Sequence, residues 1–180
     1  MERRIYITGI GGQGVMLIGK LLTYGAFSED KDVLFVPTYG GEQRGGASNC
    51  AVMISDDRVG APNVKQYDVV VYMAQSTYDG APNAVRKNGV AILNTSSVKN
   101  IRDDGTKKIL IDASAEAAAL GSEKASNMVM LGALVRAQDV VSLDYVIKAL
   151  NKQMASKPQL LELNLKAIQR GVELASAQLG

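Results

Sequence analysis

Near its start the chain reads Gly-Ile-Gly-Gly-Gln-Gly-Val, residues 9–15, directly after the apolar run Ile5-Tyr6-Ile7. Residues 4–8 read as a strand. Val15, Leu17, Ile18, Leu21 and Leu22 are apolar at helical spacing, so residues 14–28 read as a helix. The strand–glycine turn–helix order is the opening of a β-α unit. Gly9, Gly11 and Gly14 also occupy the three places of Gly-x-Gly-x-x-Gly, the spacing of a dinucleotide-binding turn.

The rest of the chain continues the alternation. Asp32 to Pro37 reads as a second buried strand, and Thr38 to Ala47 as a polar glycine-rich loop. Asn49 to Ser55 is a strand with Cys50, Val52 and Ile54 on one face. The continuous run Asp68 to Met73 suits a strand covered on both faces. Residues 79–88 read as a helix stopped by Gly89, followed by strands at Val90 to Leu93 and Ile109 to Ile111. Three helices follow, over residues 126–138, 143–154 (with Ser142 as its cap) and 158–178, where Pro158 suits the first turn. Leu161, Leu165, Ile168, Val172 and Ala175 give the last helix a wide apolar face, for its own sheet or for a subunit interface. Strands alternating with helices imply an α/β fold, a three-layer α/β/α arrangement on a mainly parallel, Rossmann-like sheet. With 180 residues and no internal repeat or linker, one domain over residues 1–180 is expected.

Composition narrows the chemistry. The chain has one cysteine, Cys50, and no histidine. An internal disulfide is impossible, and a zinc or iron–sulfur site would need more such ligands than the chain owns. Histidine-based triads and proton shuttles are excluded as well. Cys50, in an apolar strand, reads as a buried inert thiol, and Met128 and Met130 as packing side chains. The net charge is +2 with no basic cluster, so nucleic acid is not an expected partner. No apolar run is long enough to span a membrane and the first residues carry no signal core, so a cytoplasmic protein is expected.

Three readings of the glycine turn stay open: a dinucleotide site, a tight turn without a ligand, and a turn facing a ligand or neighbouring subunit. Glycines permit close backbone approach, and a helix N-terminus offers free amides. A dinucleotide site also wants a carboxylate at the end of the second strand. Here that strand ends Val36-Pro37-Thr38-Tyr39, and Asp32 stands at its other end. A second segment, Pro37 to Cys50, places Glu42-Gln43-Arg44 between two Gly-Gly pairs. Arg44 has the planar fork that pairs with a carboxylate or phosphate.

Taken together, GIGGQGV (residues 9–15) and YGGEQRGG (residues 39–46) resemble the γ subunit, or γ domain, of the 2-oxoacid:ferredoxin oxidoreductases. The resemblance continues through SNCAVMIS, VGAPNVKQYDVVVYMAQ and NMVMLGALV and covers most of the chain. One departure is Gly41, which stands where the family's second loop usually carries proline. The resemblance implies a subunit of a complex that decarboxylates a 2-oxoacid on thiamine diphosphate, passes electrons through iron–sulfur clusters to ferredoxin and hands the acyl group to coenzyme A. It implies alpha and beta subunits as partners, with a ferredoxin-like delta subunit as a further one, and cofactors held by those chains. This chain has no Gly-Asp-Gly thiamine motif; Asp103-Asp104-Gly105 is its nearest approach. The isolated chain is expected to be inactive and open to homodimer formation. A separate γ chain with this second loop is most similar to the 2-oxoglutarate and branched-chain 2-oxoacid (2-oxoisovalerate) enzymes, and of these 2-oxoglutarate is the expected substrate. The implied coenzyme A site comprises Gly9, Gly11, Gly12, Gln13, Gly14 and Arg44. The implied subunit or access loop comprises Tyr39, Glu42, Arg44, Gly45, Gly46 and Asn127, with Asn127 otherwise a cap for its helix.

Overall fold

The computed structural model describes residues 1–39, 46–60 and 64–180. Its strands are β1 (Glu2–Ile10), β2 (Asp32–Tyr39), β3 (Ala47–Ser55), β4 (Tyr67–Tyr72), β5 (Val85–Asn94) and β6 (Lys107–Ile111). The helices are α1 (Val15–Ser28), α2 (Gln75–Gly80), α3 (Ala113–Ala119), α4 (Ser126–Gln138), α5 (Leu143–Gln153) and α6 (Pro158–Leu179). The strands form one sheet in the order β2-β3-β1-β4-β5-β6. β1, β4, β5 and β6 run parallel, while β3 lies antiparallel to both β1 and β2.

The two faces of the sheet are covered unequally. Ile5 and Ile7 of β1, Cys50, Val52 and Ile54 of β3, Val69 and Val71 of β4 and Ile92 of β5 point into one large core shared with α1, α3, α4, α5 and α6. The alternate residues Val70, Tyr72, Ala91 and Leu93 meet Tyr78 of α2 and Val98 in a smaller core on the opposite face. That alternation is the period-two pattern of a pleated strand. It makes the three-layer α/β/α fold, with a heavy layer and a thin one.

α4 is the central helix of the heavy layer. Residues Met128 to Val135 are all buried, as an apolar helix with no polar face requires. α6 packs on α4 and the edge of β6 rather than broadly on the sheet. Contact is close because both helices put glycine at the crossing. A Cβ at Gly132 would overlap the Ile168 carbonyl, and one at Gly171 the Val129 carbonyl.

Three expectations are corrected, and one helix is added. Residues 79–88 are not a helix: α2 ends at Gly80, and Val85 already pairs with Tyr67 of β4. Between Val85 and Val90 strand β5 bulges, with Asn88 at φ +64°. Gly89 is the close-contact point of that bulge, since a Cβ there would lie 2.8 Å from the Asp68 carbonyl oxygen. β2 is an edge strand with partly exposed side chains, because β3 is inserted between it and β1. Thr38 and Tyr39 continue β2, paired with Asn49 and Ser48, and are not loop. Finally, Ala113–Ala119 forms a helix capped by Asp112, whose carboxylate accepts from the Ala115 N–H.

Candidate functional site

The parallel strands β1, β4, β5 and β6 end on one edge of the sheet, and the glycine turn lies there. Gly11 donates its N–H to the Gly46 carbonyl at 3.1 Å, tying the turn to the segment entering β3. The Gln13 N–H returns to the Ile10 carbonyl at 3.2 Å. The Gln13 side chain faces inward: Oε1 accepts from the Ile10 N–H at 2.9 Å, and Nε2 donates to the Met73 carbonyl at 2.8 Å. This amide locks the end of β1 to the residue just after β4, leaving one of its own N–H bonds for anything outside.

Each glycine of the turn has its own reason. A Cβ at Gly9 would lie 2.7 Å from Gln13 Oε1 and 2.8 Å from Met73 Cβ. Gly12 and Gly14 adopt φ +92° and +74°, the left-handed region that glycine enters without steric cost. Gly14 is the N-cap of α1, and the Asn127 side chain lies over its Cα where a Cβ would otherwise stand. The amides of Gly12, Gly14, Val15 and Met16 have no acceptor among the described residues. Those of Gly14, Val15 and Met16 are the unsatisfied donors that a helix N-terminus presents, and Gly12 lies in the turn before it.

A cavity of about 570 Å³ opens beside these amides, lined by the turn together with Met73, Asn94, Ser114, Lys124 and Asn127. Asn94 ends β5, Ser114 stands in the first turn of α3, and Asn127 stands in the first turn of α4. The N-cap position of α4 is Ala125, with no capping side chain, so Asn127 faces the turn rather than capping its own helix. Next to the cavity, hydrogen bonds from the Ser96 hydroxyl and the Ala115 N–H hold the Asp112 carboxyl below its usual range.

Of the residues singled out in the sequence, Gly12, Gln13, Gly14 and Asn127 line this one cavity. Gly9 lies beneath the turn, and Gly11 and Gly46 clasp each other beside it. Tyr39 ends β2, two strands away from β1. Glu42, Arg44 and Gly45 lie outside the described residues. Asn94, Ser114 and Lys124 were missed. Their only trace in the sequence is position: Asn94 and Ser114 closely follow apolar strand runs, where parallel strands deliver side chains to the ligand edge.

The geometry weighs against the dinucleotide reading. In a doubly wound site the second strand lies next to the first and brings its carboxylate to the ribose. Here β3 occupies that place, and the β1 residue Ile10 pairs with Ala47. Among the described residues, no group of three or more His, Cys, Asp or Glu side chains is gathered as a metal ion needs. No described helix is long and apolar enough to cross a membrane.

Comparison with known proteins agrees with this architecture. The family described as "Pyruvate ferredoxin/flavodoxin oxidoreductase" matches residues 4–174. Ketoisovalerate oxidoreductase subunit VorA of Methanothermobacter marburgensis is 34% identical over 180 residues, which are 99% of this chain and 37% of that protein. The chain thus spans little more than a third of that relative's length. 2-Oxoglutarate synthase subunit KorC of Methanocaldococcus jannaschii is 31% identical over 97% of this chain and 95% of its own length. The solved gamma subunit of a keto/oxoacid ferredoxin oxidoreductase from Geobacter sulfurreducens superposes with a TM-score of 0.85 at 30% identity, covering 97% of this chain and 99% of that one. A shared fold at this identity, with matches running nearly end to end, places the chain: it belongs to the pyruvate ferredoxin/flavodoxin oxidoreductase family.

Proposed function

We propose that the chain is the γ-type subunit of a 2-oxoacid:ferredoxin oxidoreductase, inactive alone and working beside alpha and beta subunits in the cytoplasm. The complex decarboxylates a 2-oxoacid, transfers the acyl group to coenzyme A and passes the electrons to ferredoxin. The observation that carries this reading is coextensive likeness: KorC and the solved gamma subunit both match over nearly their whole length. 2-Oxoglutarate is the proposed substrate, because KorC, a 2-oxoglutarate synthase subunit 31% identical to this chain, is coextensive with it whereas VorA is much longer.

When bound to the complex, thiamine diphosphate and iron–sulfur clusters supply the carbanion and electron-transfer chemistry. This chain owns no histidine and a single cysteine, buried in β3, so it does not fit the cluster. Coenzyme A is different. The amides at Gly12 and Gly14, without an acceptor among the described residues, suit its phosphates, and in this reading Arg44 of the second loop supplies charge. In this reading the chain shapes the route by which coenzyme A reaches the acyl group.

The test is native purification of the chain from its own cell, with subunit masses, iron and thiamine read on one sample. Co-purification with larger, iron- and thiamine-containing subunits is expected, followed by 2-oxoglutarate turnover dependent on coenzyme A. Preference for a branched-chain 2-oxoacid would correct the substrate. A lone 19.1 kDa chain or homodimer free of both cofactors would overturn the reading.

A further inference from the structure

The edge of the sheet opposite the glycine turn gathers positive charge. There β5 bulges between Val85 and Val90, and a turn with Gly105 at φ +73° leads into β6. Between the bulge and the turn lies a cleft of about 590 Å³. Three exposed cations line it: Arg86 and Lys87 from the bulge, and Lys107 from the first position of β6. Asp104 is the one carboxylate among the described residues of the lining. Its charge is already answered, since Lys108 Nζ lies 2.6 Å from its Oδ1 and the Thr106 N–H donates to the same oxygen at 3.0 Å.

The three cations are not balanced in the same way. Lys87 and Lys107 have no acidic partner among the described residues. Arg86 meets Asp68, with Nη2 2.5 Å from Oδ1, but Arg3 approaches the same oxygen at 3.6 Å. Two guanidinium groups thus share one carboxylate, itself only 5% exposed. Asp68 Oδ1 receives no hydrogen bond of proper direction, so charge rather than a directed bond holds Arg86 there. The Arg86 side chain is 50% exposed, and its Nε and Nη1 have no acceptor among the described residues. Arg3, Arg86, Lys87 and Lys107 stand against the single charge of Asp68, a larger local excess than the +2 of the whole chain. Like charges set around a cleft repel one another and focus their field on an anion that enters it.

We propose that this cleft binds a small phosphate-type oxyanion, held by the Arg86 guanidinium and the Lys87 and Lys107 ammonium groups. Arg86 brings the planar fork that matches two oxygens, and the lysines bring mobile point charges. The cleft volume lies within the roughly 300–1,000 Å³ of small-molecule sites. The anion bridges the β5 bulge to the start of β6 and so stabilises the folded chain by mass action. The site stands at the amino ends of β5 and β6, away from the glycine turn, and does not depend on the coenzyme A reading.

The full chain, isotope-labelled for amide NMR, is titrated with inorganic pyrophosphate at fixed ionic strength, beside Lys87→Gln, Lys107→Gln and Lys20→Gln. Lys20 is exposed on α1 and controls for loss of charge alone. Saturable shifts of the Gly89 and Gly105 amides are expected. Affinity should fall about fivefold for each of the first two variants, as loss of one exposed charge contact implies, and stay unchanged for Lys20→Gln. All three are surface changes, and a thermal melt of each checks that it folds. Shifts confined to Gly12 and Gly14 would place the anion at the other edge and overturn the site. Equal weakening by all three variants would show general charge attraction only and overturn it too. Tighter binding of citrate than of pyrophosphate would overturn the assignment to phosphate.

Discussion

Gln13 and Met73 are joined by one hydrogen bond, 2.8 Å from the side-chain amide of the first to the carbonyl of the second. The bond spans the gap between the ends of β1 and β4, where the sheet changes its direction of winding. Because Gln13 Oε1 also holds the Ile10 N–H, a single amide sets the mouth of the cavity. Gln13→Ala leaves a backbone donor and a backbone acceptor unpaired in a part-buried place. The expected loss is about 1–3 kcal/mol of unfolding free energy, read by urea denaturation. A variant as stable as the natural chain would show that water replaces the amide without cost.

The α4–α6 crossing gives a sharper test. Alanine at Gly132 or Gly171 forces its methyl group into a facing backbone carbonyl, and backbone cannot swing aside as a side chain does. Each substitution is expected to cost about 1–3 kcal/mol or more, by thermal or urea unfolding. Gly80, at the end of α2, has open space around its Cα, so Gly80→Ala is the control and should be neutral or stabilising by about 0.5–1 kcal/mol.

Cys50 is fully buried between β3 and α1, and burial pushes its thiol up to about 12. The reactive thiolate is then scarce at any ordinary pH. Ellman's reagent at pH 8 should leave the folded chain unlabelled and label one thiol per chain in denaturant. Rapid labelling of folded protein would mean that β3 and α1 part readily.

Asp56 accepts from Lys31 and from the N-terminal ammonium, and these bonds lower its carboxyl from the ordinary 3.8 to about 2. A depressed folded pKa favours the folded state above the unfolded value. The contribution is complete above about pH 4 and disappears as pH falls through about 2. Both partners are solvent-accessible, so salt weakens the effect. Thermal melts between pH 5 and pH 2 should therefore fall less steeply for Asp56→Asn than for the natural chain, and the difference should shrink in high salt.

Much of this molecule is legible from local pattern. The β1-turn-α1 opening, the buried strand β4, the buried cysteine and the three C-terminal helices follow from local pattern, because an apolar stripe (α1, α5, α6) or a continuous apolar run (β4, α4) is buried whatever its neighbours are. Segment 79–88 was misread for the opposite reason. Ala81, Ala84 and Val85 carry no strong period of their own, and pairing of Val85 with Tyr67 makes the segment a bulged strand. The insertion of β3 between β1 and β2 is likewise silent in the sequence, since an antiparallel partner needs only a return loop that any polar glycine-rich stretch supplies. The glycine turn was evident from its spacing, whereas Asn94, Ser114 and Lys124 look ordinary in the chain. Local spacing was enough to end a strand in a glycine turn at the head of a helix. What faces that turn depends on the assembled sheet, because parallel strands bring their carboxyl ends to one edge and gather there residues more than a hundred positions apart.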